Sequence, residues 1–148
     1  MNRTSGVVVL CPGPIIDSCK GAGQPGGPEL LGKFFTDVLA HEHFHAIFEE
    51  GMPRTGVVAP ARSEAAALEE ALAEWVELDL FRDDPQASAW IIEHATSGAY
   101  PTWPYAGALW LEVEARKNGT GTISTIIQEY RSDPLACCEA LRRRRVLP

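Results

Sequence analysis

The sequence predicts an α+β fold that is mainly helical, and three observations lead there. Apolar residues recur at helical intervals in six segments, one β-branched run near the start reads as a strand, and the alternation of strands and helices that builds a doubly wound parallel sheet is missing. A length of 148 residues fits one domain spanning residues 1–148.

Residues 7–10 form the β-branched run, stopped by Pro12-Gly13-Pro14, and residues 11–28 read mostly as a glycine- and proline-rich loop. Pro28 suits the first turn of a helix. Leu31, Phe34, Phe35, Val38, His41, His45 and Phe48 then recur at helical spacing until Gly51 offers a stop. Residues 51–62 read as a long loop with a brief strand at Val57-Val58, and Ser63 can cap a second helix over residues 64–81 that ends before Asp83-Asp84-Pro85. Further helices are expected over 87–96, over 106–117 (closed by Asn118-Gly119), over 123–130 and over 134–143.

A formal net charge of -7 works against binding nucleic acid, whose phosphates call for a basic surface. The run Arg142 to Arg145 reads most simply as a cationic last helical turn. No secretory or membrane-spanning apolar segment is found, so a cytoplasmic location without membrane attachment is expected. Cys11, Cys19, Cys137 and Cys138 read as reduced thiols, because the last two are adjacent and no leader points to an oxidising compartment.

The chemistry-bearing motif is His41-Glu42-His43-Phe44-His45, which fulfils H-E-x-x-H. On a helix, positions four apart stack on one face, so His41 and His45 can converge on one zinc ion. Glu42 beside them is placed to act as general base toward a zinc-activated water. His41 and His45 also continue the apolar stripe through Val38, where a buried imidazole needs a partner and a metal supplies one. His43 faces elsewhere and reads as a surface or supporting residue.

A catalytic zinc commonly takes three protein ligands and keeps one position open. The second helix offers Glu64, Glu69, Glu70, Glu74 and Glu77, with apolar residues around most of its circumference, the mark of a buried helix. With Leu68-Glu69-Glu70-Ala71-Leu72-Ala73-Glu74-Trp75 following it, the H-E-x-x-H segment resembles the gluzincin metallopeptidases. The resemblance covers about a third of the chain. It implies a zincin-like domain with Glu70 as third zinc ligand and Glu74 orienting a ligating histidine. Residues 46–69 make a longer gap than that family usually shows, and Glu64 fits the usual gap. Glu70 is preferred because Glu64 would be the first residue of its helix, with no carboxylate one turn on. The family also places a tyrosine near the scissile carbonyl, which makes Tyr105 in Pro104-Tyr105-Ala106-Gly107-Ala108 a candidate to stabilise the oxyanion, with Tyr100 and His94 as alternatives.

The expected activity is therefore peptide bond hydrolysis with Zn2+ held by His41, His45 and Glu70, with Glu42 and Tyr105 catalytic. Only about 27 residues precede the first helix, so either the domain is a minimal version of the fold or a partner chain completes the substrate cleft. The alternative is a zincin-like metal-binding domain with a regulatory or protein-binding role and no turnover.

Overall fold

Proline chemistry sets the helix starts. The computed structural model describes residues 10–21, 28–51, 64–96, 103–144 and 146, and its elements are α1 (Pro12–Gly21), α2 (Pro28–Gly51), α3 (Glu64–Leu80), α4 (Pro85–Thr96), α5 (Trp103–Asn118), α6 (Gly121–Ser132) and α7 (Pro134–Arg143). Four of these helices begin on a proline, where the missing N–H is one the helix could not pair anyway. Caps reinforce the boundaries. The Asp84 carboxylate accepts from the Gln86 and Ala87 amides at the start of α4, and Asp133 accepts from Ala136 at the start of α7. Gly119, at φ 89°, closes α5 in the left-handed region that glycine enters without a Cβ penalty.

Among the described residues every regular element is a helix, which overturns the α+β, zincin-like expectation: this is an all-α fold. The stretch read as loop after residue 11 is helical from Pro12 to Gly21, because Pro12 and Pro14 both fall in a first turn, where neither breaks a helical hydrogen bond. Of the expected strand at 7–10, only Leu10 is described, and it packs against the Ile15 and Phe34 cluster rather than entering a sheet. Val57-Val58, Ser63 and Tyr100 lie outside the described residues. The six helices expected from periodicity are all present, with α4 and α5 starting a few residues earlier than expected, on Pro85 and Trp103.

α3 is the central element and packs against α2, α4, α5 and α7. Ala65, Leu68, Ala71, Leu72, Ala73, Trp75 and Leu78 are buried around almost its whole circumference, and the alanines let neighbouring helices approach closely. Leu111, Ile123, Ile126, Tyr130 and Leu141 complete the main core from α5, α6 and α7. The Trp75 indole N–H is satisfied by Glu112 of α5, which also receives Arg82 and Arg116. The C-terminal arginines form pairs, Arg142 with Glu64 and Arg144 with Glu114, as a cationic helix end does. No helix among the described residues is long and apolar enough to cross a membrane.

α2 lies on one side of α3. His41 meets Glu77 while His45 meets Glu69, so the residue order runs in opposite directions and the two helices are antiparallel. Three acidic side chains are buried at or beside this contact: Asp37 at 4%, Glu74 at 2% and Glu77 at 5% exposure. The far side of α2 carries the exposed Leu39 and Ile47.

Because Leu72 is fully buried at the centre of α3, Leu72→Ala is expected to lower unfolding free energy by about 2–5 kcal/mol, read from urea denaturation. A loss below about 1 kcal/mol would contradict a tightly packed α3.

Candidate metal centre

Helical spacing puts His41 and His45 one turn apart on the α3-facing side of α2, and the antiparallel α3 brings a row of carboxylates against them. The two Nε2 atoms lie 3.1 Å apart. His41 Nε2 is 3.3 Å from Glu70 Oε2, and His45 Nε2 is 3.6 Å from Glu70 Oε1. Two imidazole nitrogens and one carboxylate thus face one another.

These three residues form a group that could hold a metal ion. Ligands held at the usual zinc distances in a tetrahedron are separated by about 3.3 Å along each edge. The 3.1 Å between the two Nε2 atoms and the 3.3 Å from His41 Nε2 to Glu70 Oε2 are of that order, while the 3.6 Å contact of His45 Nε2 runs to the other carboxylate oxygen, Oε1.

Each imidazole is also held from behind. His41 Nδ1 hydrogen-bonds Glu77 Oε1 at 2.7 Å, and His45 Nδ1 hydrogen-bonds Glu69 Oε1 at 2.8 Å. A carboxylate on Nδ1 keeps the proton there and leaves the Nε2 lone pair for a cation. Glu69 Oε2 in turn accepts from the Tyr130 hydroxyl at 2.9 Å. Glu74 and Glu77 with His41 form a second, more deeply buried group of potential ligand atoms beside the first.

The electrostatics follow from these contacts. Burial opposes charge on His41, but hydrogen bonds to Glu70 and Glu77 outweigh it and raise its pKa to about 10. Hydrogen bonds to Glu69 and Glu70 raise His45 to about 9, against burial and the charge of His41. The same two histidines hold Glu70 down at about 2. Burial pushes Glu77 up, the His41 hydrogen bond pulls it down, and the charges of Asp37 and Glu74 push it up again, so the net direction is up.

The structure brings together His41, His45 and Glu70, and separates Glu64 from them. Glu64 is exposed at the start of α3, paired with Arg142 at 2.7 Å. Glu42 is exposed on α2, next to His41 and one turn before His45. His43 is also exposed, its ring on the Leu39 carbonyl. Tyr105 belongs to the first turn of α5 and His94 to the last turn of α4, but their side chains lie outside the described residues.

The carboxylates on the ring Nδ1 atoms are Glu77 for His41 and Glu69 for His45, with Glu74 in the buried group beside His41. Sequence spacing carries a signal for Glu77, which lies two turns from Glu70 on the same helix. It carries none for Tyr130, which lies 61 residues from Glu69 on a helix with no motif of its own. No protein-family model, curated protein or solved structure matches the chain, so the gluzincin resemblance rests on the two motifs alone.

Glu70→Ala is expected to abolish stoichiometric zinc uptake while Glu64→Ala leaves it intact, as measured by elemental analysis after dialysis. The reverse pattern would overturn the ligand assignment. Because the glutamates raise both histidines while the 3.1 Å contact needs one Nε2 lone pair, a bound ion must displace at least one proton, and affinity should rise by at least about tenfold per pH unit through the neutral range. Competition with a chromophoric chelator measures this, and a flat profile would contradict it.

Proposed function

We propose that this protein is a zinc-dependent hydrolase acting on amide bonds of peptides, with His41, His45 and Glu70 holding the ion and Glu42 as general base. The observation that carries the reading is the approach of His41 Nε2, His45 Nε2 and both oxygens of the Glu70 carboxylate, with contacts of 3.1, 3.3 and 3.6 Å. Zinc bound there would polarise a carbonyl and lower the pKa of water.

The chain's own residues supply the rest. Glu69 and Glu77 fix the imidazole tautomers and hold the rings in place. Glu42, exposed beside His41, would take a proton as water adds to the carbonyl carbon and return it to the nitrogen as the C–N bond breaks. Tyr105 remains the candidate for steadying negative charge on the oxygen, with Tyr100 and His94 as alternatives. A cytoplasmic setting belongs to the same proposal, supported by Cys137 and Cys138 standing as buried free thiols.

A second reading has an observation in its favour. Extended peptides are commonly held by pairing with a strand edge, and none of the described residues forms a strand. This favours a metal-binding domain with a regulatory or protein-binding role and no turnover, or a cleft completed by a partner chain.

Glu42→Gln separates the readings. The hydrolase reading expects the parent to cleave members of a peptide library in a chelator-sensitive way, and Glu42→Gln to keep its zinc while losing at least about a hundredfold in turnover. Zinc-loaded parent that cleaves nothing in the library would favour the second reading.

A further inference from the structure

The two ligating histidines are held in different ways, and the difference lies in Tyr130. His41 is backed by Glu77 in a buried acidic group on α2 and α3. His45 is backed by Glu69, a flexible side chain that is only partly buried. What meets Glu69 is the Tyr130 hydroxyl from α6, at 2.9 Å from Oε2, with the Ala65 carbonyl of α3 at 3.0 Å from the same hydroxyl. A phenol has one proton to give, and the charged carboxylate is the stronger acceptor.

We propose that Tyr130 is a positioning residue for the metal centre, acting through Glu69 to fix the His45 ring so that its Nε2 faces the ion. This rests on the zinc reading above. The chain of contacts runs Tyr130 Oη, Glu69 Oε2, Glu69 Oε1, His45 Nδ1, and both contacts between side chains are within hydrogen-bond distance. Tyr130 itself has no room to turn away: it is 2% exposed, packed in the main core with Ile126 and Leu141. Burial and the nearby Glu69 charge push its phenol pKa up, so it stays a donor across the working pH range. A rigid donor in the core thereby steadies a partly buried carboxylate at the edge of the site. It also ties the metal centre to the docking of α6, a helix that packs on α5 and α7 and contributes nothing to the triangle itself.

The test is a double-mutant cycle on zinc affinity with Tyr130→Phe, Glu69→Ala and the pair, alongside the parent, with cobalt-substituted absorption spectra as a second readout. Tyr130→Phe and Glu69→Ala are each expected to weaken zinc binding by about tenfold or more and to alter the cobalt bands in the same sense. The double variant should bind no more weakly than Glu69→Ala alone. A Tyr130→Phe effect of equal size with and without Glu69 would show that the tyrosine acts only through packing, and would overturn the proposal. Parent that binds zinc while Tyr130→Phe binds it equally well overturns this proposal alone; parent that takes up no zinc overturns the zinc reading with it.

Discussion

Two imidazole nitrogens held 3.1 Å apart constrain everything around them. At that distance they repel when both carry protons. They attract only when one lends its lone pair to the other's N–H, or when both lend theirs to a common cation. The Glu70 carboxylate on the same triangle adds negative charge where the second arrangement needs it. The carboxylates on both Nδ1 atoms bias each ring toward presenting a lone pair at Nε2. The helix pairing of α2 and α3, the inward direction of His41 and His45 and the carboxylate row on α3 all serve this one geometry.

The arrangement costs the fold something. An antiparallel helix contact is ordinarily filled with apolar side chains, yet Asp37, Glu74 and Glu77 are buried at or beside this one. Burying carboxylates is unfavourable unless they find hydrogen bonds, cations or protons, and the upward push on Glu77 shows how strongly the surroundings resist its charge. The rest of the molecule offsets this with a dense apolar core along the other sides of α3, where Leu68, Ala71, Leu72 and Ala73 are fully buried. α3 therefore has two roles, as the pillar of the core and as the carrier of the charged row.

Local periodicity brings the two histidines together in the sequence, while the choice of Glu70 among the glutamates of the second helix comes from the family resemblance. His41 and His45 share a face at i and i+4, and Glu70 sits on a helix whose apolar circumference marks it as buried. The acidic partners behind the rings depend on how far α2 slides along α3, which single-helix spacing does not encode. That offset sets Glu77 against His41 Nδ1, and Tyr130 depends on the docking of a helix late in the chain. The fold class is harder to read for a different reason. Pro12-Gly13-Pro14 suits the end of a strand and the first turn of a helix equally well, and the expected sheet rests partly on the resemblance to a metallopeptidase family rather than on the residues. A metal motif on a helix needs only a second helix with a carboxylate, not the sheet that usually accompanies it.

X-ray absorption at the zinc edge of the metal-loaded protein reads the ligand shell itself. The account predicts a nitrogen and oxygen shell at about 2.0–2.1 Å with the outer scattering of two imidazoles, and no sulfur. A shell containing sulfur at about 2.3 Å, or one with fewer than two imidazoles, would show that the ion is bound elsewhere in the chain and contradict the account.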